Sequence, residues 1–163
     1  MKILLENWRE FLNEEIKFSG ILKLMPEPEV IAHAKSLIET LPEEAVPLGD
    51  DRLHITLAHQ SVLKPFRKQL KALAKTGGLP PEPNIELGNK WEVRPPNNKP
   101  NELGRKSWVV WVTDETEQKI QVYLNEVMKK VGGPMNIWEE ETPVRKFHIS
   151  LANLTGNPGD SVR

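Results

Sequence analysis

Two short stretches of this chain alternate apolar and polar side chains in the same order. Residues 52–58 read Arg-Leu-His-Ile-Thr-Leu-Ala, and residues 146–152 read Lys-Phe-His-Ile-Ser-Leu-Ala. Alternation with frequent β-branched residues, bounded by turn formers, predicts a strand for each. Successive side chains of a strand point to opposite faces. His54, Thr56 and Arg52 are therefore expected on one face, with Leu53, Ile55 and Leu57 on the other. His148, Ser150 and Lys146 repeat the arrangement, opposed by Phe147, Ile149 and Leu151. The apolar face can bury against helices, while the other offers an imidazole, a hydroxyl and a cation. Two such strands side by side would make a symmetric polar cleft.

The rest of the pattern places these strands in matching surroundings. Ile3, Leu4, Trp8, Phe11 and Leu12 stand near helical spacing and predict a short amphipathic helix over 2–15. A strand is expected over 17–25, closed by Pro26 and Pro28, then a helix over 27–41 through Val30, Ile31, Ala34, Ile38 and Leu41. Leu48-Gly49-Asp50-Asp51 is turn chemistry leading into the first motif strand. A helix over 62–75 follows, through Val62, Phe66, Leu70 and Leu73, and Gly77-Gly78 stops it. Residues 84–93 read as a strand interrupted by Gly88, and 94–106, with three prolines and three asparagines, as a loop. The clearest strand is 107–113 (SWVVWVT). Asp114 is expected to cap a helix over 115–131, ended by Gly132-Gly133-Pro134. A loop over 134–144 carries Trp138 and leads to the second motif strand; the polar tail Thr155–Arg163 is expected to be ordered only where it docks. Strand, helix and motif strand thus occur twice, an internal pseudo-repeat.

Composition narrows the chemistry. At 163 residues the chain suits one domain, or two small lobes sharing a core. Its formal net charge of −1 argues against a general nucleic-acid coat but leaves room for a local basic cleft. With no cysteine, disulfides, thiolate metal sites and cysteine nucleophiles are excluded. No run of eighteen apolar residues predicts a membrane span, and the N-terminus lacks the look of a secretory signal, so a cytoplasmic location is expected. No His-Glu-x-x-His motif, Gly-x-Ser-x-Gly elbow or glycine-rich phosphate loop occurs. Asp50 and Asp51 near His54, His59 and His148 match no standard metal spacing, so no metal or other cofactor is expected. His59 and His33 read as surface or packing residues.

The two motifs, His54-Ile55-Thr56-Leu57 and His148-Ile149-Ser150-Leu151, resemble those of the two-histidine (2H) phosphoesterase superfamily. That superfamily includes RNA 2′,3′-cyclic phosphodiesterases, 2′-5′ RNA ligase-like enzymes, 2′-5′ oligoadenylate phosphodiesterases and viral cyclic-oligonucleotide phosphodiesterases. The resemblance implies an α+β fold over 17–156, two-lobed and pseudo-symmetric, with antiparallel-rich sheets, helices outside and a central cleft. It implies that His54 and His148 act as general acid and base, and that Thr56 and Ser150 bind phosphate. Imidazole suits both proton-transfer roles because its ordinary pKa of about 6.5 lies near working pH. Which histidine is acid and which is base depends on the bond cleaved and stays open. Arg52 and Lys146 either neutralise phosphate or are solvated charges at the start of their strands. Trp91 and Trp138 border loops and either stack on bases or pack.

The partner expected is therefore a nucleotide or short oligonucleotide, with no membrane. Other readings are viral removal of a cyclic-oligonucleotide signal and a non-catalytic module that binds nucleotides or RNA ends. The first sixteen residues stand apart as an amphipathic helix or leader, and 157–163 as a tail. The leader resembles segments of tailed-phage proteins carried into the prohead and cut after a Leu-x-Glu type sequence, here Leu12-Asn13-Glu14. That resemblance implies association with a phage capsid and a location in the host cytoplasm or virion.

Overall fold

The computed structural model describes residues 22–24, 26–58, 63–137 and 147–162. The expected N-terminal helix over 2–15, its leader motif and most of the strand over 17–25 lie outside these residues. Within them the chain is a mixed α+β protein with an antiparallel sheet and three α-helices. In chain order the elements are β1 (Leu22–Leu24), α1 (Pro28–Ile38), β2 (Val46–Pro47), β3 (Ile55–Ala58), α2 (Arg67–Lys75), β4 (Leu87–Arg94), β5 (Ser107–Val112), α3 (Asp114–Lys130) and β6 (His148–Asn153). They group into two compact units. The first takes the described residues of Met1–Leu24, Thr56–Pro83 and Gln118–Arg145; the second takes those of Met25–Ile55, Asn84–Glu117 and Lys146–Arg163.

In the first unit β1 is the neighbour of β3, and Leu24, Leu57 and Ala58 are buried. The apolar stripe of α3 buries Ile120, Tyr123, Leu124, Val127 and Met128, as its helical spacing requires. Both helix ends anticipated from paired glycines are formed by the same device. Gly77 has φ +70° and Gly132 φ +73°, a left-handed turn that L side chains adopt at a cost. The next N–H then reaches back five residues: Gly78 to the Leu73 carbonyl at 3.0 Å, and Gly133 to that of Met128 at 2.8 Å. The start of α2 differs from expectation. Lys64–Phe66 is a 3-10 turn and regular helix begins only at Arg67, because Pro65 has no N–H to donate.

In the second unit β6 lies between β3 and β5, and β5 pairs in turn with β4. All these pairings are antiparallel. Ile55 stands opposite Ile149, and β2, too short and proline-bearing to be visible in the sequence, pairs with Ala152 and Asn153 at the far end of β6. Helix α1 packs on β4 and β6. Beneath it Trp108, Ala45 and Ala152 form a core joined by Leu41, Trp91, Val93 and Leu154. His33 ties the helix to β4: its Nε2 lies 2.9 Å from the Gly88 carbonyl, so Nε2–H is the donor. Near Gly88 the β4–β5 register shifts, which matches the interruption expected there.

One irregularity matters for the site. Val109 pairs with Ser150 but Trp108 with Ala152, so Leu151 is an extra residue, a bulge in β6. The tail is docked. Asn153 donates to the Asn157 carbonyl (2.6 Å) and the Ser161 hydroxyl (3.1 Å), and its side-chain oxygen accepts from the N–H groups of Thr155 (3.0 Å) and Gly156 (2.6 Å). Val162 donates its N–H to the Ser107 hydroxyl at 2.8 Å.

Candidate functional site

The burial pattern of both motifs follows the expected alternation. Leu53, Ile55 and Leu57 are buried while His54 and Thr56 are half-buried; Phe147, Ile149 and Leu151 are buried while His148 and Ser150 are half-buried. The apolar half of each motif is thus core, which holds the polar half in place. Residues directly opposite in an antiparallel pair project to the same side. Ile55 faces Ile149 across the β3–β6 pair; His54 immediately precedes β3, and His148 opens β6. His54, His148 and Ser150 all belong to the second unit, whereas Thr56 falls in the first.

Not every residue expected at the site is brought there. Arg52 lies in a 3-10 turn, Asp50–Arg52, rather than on the strand; the Arg52 N–H bonds the Gly49 carbonyl at 2.8 Å. Strand alternation therefore does not carry its exposed side chain to the side of His54, and its Nε lies 3.7 Å from Asp51. Trp91 is on the other side of the sheet. It pairs with Val110, itself opposite Ile149, packs in the cluster around Trp108, and donates its indole N–H to Thr40 at 3.0 Å. β4 runs on to Arg94 and makes Trp91 a mid-strand position rather than one bordering a loop. Lys146, Trp138 and His59 lie outside the described residues.

Sequence reasoning missed three neighbours on the histidine side. Trp111 pairs with His148, and their rings meet edge to face with centroids 5.0 Å apart at 75°. Glu92 pairs with Val109, and its carboxylate accepts the Trp111 indole N–H. The Arg94 guanidinium lies 5.6 Å from the centre of the Trp111 ring. The available signal was strand parity: Trp108 and Trp111 must face opposite ways, and Trp108 is the buried one. Among the described residues no group of three or more His, Asp or Glu is gathered as a metal set, and no helix is long and apolar enough to cross a membrane. No family model matches the chain, and neither a curated protein nor a solved structure does, so its own residues carry the functional argument.

Proposed function

We propose that the chain is a phosphodiesterase of the two-histidine type that needs no metal. It acts on 2′,3′-cyclic phosphate ends of RNA or on 2′-5′-linked oligonucleotides. The observation that supports this reading is that the two motif strands are antiparallel neighbours, paired at Ile55 and Ile149; in it the two imidazoles stand on either side of one gap. One imidazole takes the proton of the attacking hydroxyl or water, and the other gives a proton to the leaving oxygen. Ser150 and Thr56 donate to the non-bridging oxygens, where charge builds in the transition state. The fold in this reading is the two-lobed, pseudo-symmetric one with a central cleft. Its support is that each half runs strand, helix, motif strand: β1, α1, β3, then β5, α3, β6.

The test is product analysis in EDTA with wild type, His54→Ala and His148→Ala. The substrates are a 2′,3′-cyclic nucleotide, a 2′-5′ oligoadenylate and several cyclic dinucleotides. Turnover is expected to survive chelation and to fall about 10²–10⁴-fold in each variant. Cleavage confined to cyclic dinucleotides would move the substrate class to signalling nucleotides. Binding without turnover in all three proteins would make the chain a nucleotide-binding module, and activity that needs added metal would end the two-histidine mechanism.

A further inference from the structure

The histidine side of the sheet continues past β6 onto β5 and β4, and its first feature there is a fixed indole. Trp111 is half-buried, its N–H is held by the Glu92 carboxylate, and Arg94 lies over its ring. A tryptophan has only two side-chain torsions, so one directional hydrogen bond and one stacked guanidinium leave the ring little freedom. The imidazole of His148 meets this ring at 5.0 Å. An imidazole that transfers a proton must stay within hydrogen-bond reach of the reacting oxygen, and an error of about 1 Å costs on the order of 10²-fold. We infer that Trp111 is a positioning residue for His148, locked by Glu92 so that the imidazole keeps one orientation toward the gap it shares with His54.

This inference rests on the phosphodiesterase reading for its catalytic meaning, whereas the contact it invokes can be measured without turnover. The indole N–H resonance of Trp111, identified by its loss in Trp111→Phe, is expected to respond to pH as an imidazole titrates. That response should vanish in His148→Ala, and Glu92→Leu should return the resonance toward that of a water-exposed indole. In turnover, Trp111→Ala should lower kcat about tenfold or more with KM within about twofold. Trp111→Phe, which keeps a ring against His148, should recover most of kcat. Glu92→Leu should cost part of kcat in the wild type and nothing further in the Trp111→Phe background, where no N–H remains to be held. An indole resonance indifferent to His148, or a Trp111→Ala effect confined to KM, overturns the inference. If no phosphodiester is cut by the wild type, the proposed function fails, and the indole resonance alone decides whether Trp111 and His148 act as a pair.

Discussion

At the scale of single residues, Asn153 is a polar side chain with a full set of bonds. It is completely buried, and both donors and two acceptor positions of its amide are used on the chain that follows it. Replacing it by leucine removes four hydrogen bonds whose partners are half-buried or exposed and can turn to water, so Asn153→Leu should lower stability by about 1–3 kcal/mol in urea unfolding. Asn153→Asp, which sets a carboxylate oxygen against the Asn157 carbonyl at a fully buried position, should cost at least as much. Nothing around Asn153 in the sequence marks it, because its partners come from a turn whose path is set by tertiary docking. The half-buried standing of the histidines was legible for the opposite reason: their apolar neighbours Leu53, Ile55, Phe147 and Ile149 declare the buried face. Arg52 shows where parity ends, since the rule holds only inside a strand.

At the scale of elements, the helices and the long strands were readable from periodicity, while their joints were settled by hydrogen bonds that periodicity does not encode. Asp114 is the first residue of α3 rather than its cap. The cap is Thr113, whose hydroxyl accepts the Thr116 N–H at 3.3 Å, while the three acidic residues of the first turn complement the helix dipole. Thr113→Ala should therefore cost about 0.5–2 kcal/mol by thermal or urea unfolding. Asp114→Ala, which removes a charge and no cap, should cost less than 1 kcal/mol. An order reversed between these two would restore Asp114 as the cap. Strand neighbours were not legible at all. The repeat announces two similar strands but does not say that they pair with each other, or in which direction.

At the scale of the whole molecule, the chain passes repeatedly between two units, and both β3 and α3 begin in one and end in the other. Tyr123, the only tyrosine, makes global stability measurable at alkaline pH. Burial pushes its phenol well above the usual range, and the Glu82 carboxylate adds to the effect. A pKa raised in the folded state contributes stability that is complete below the unfolded value of about 10 and is lost as pH rises above it. Phenolate absorbance and loss of helical circular dichroism should accordingly appear together above about pH 10. A phenolate that forms while the fold persists would show Tyr123 open to solvent. The bulge at Leu151 has a consequence of its own for the histidine side. It acts as a shift of reading frame within one strand. Upstream of it, odd positions are core and even positions carry His148 and Ser150. Downstream, Ala152 joins Trp108 in the core, and Asn153 pairs with Ser107, whose parity on β5 is that of Trp111. One inserted residue thus lets the strand that carries His148 and Ser150 at its start become, two positions later, the anchor on which the tail docks.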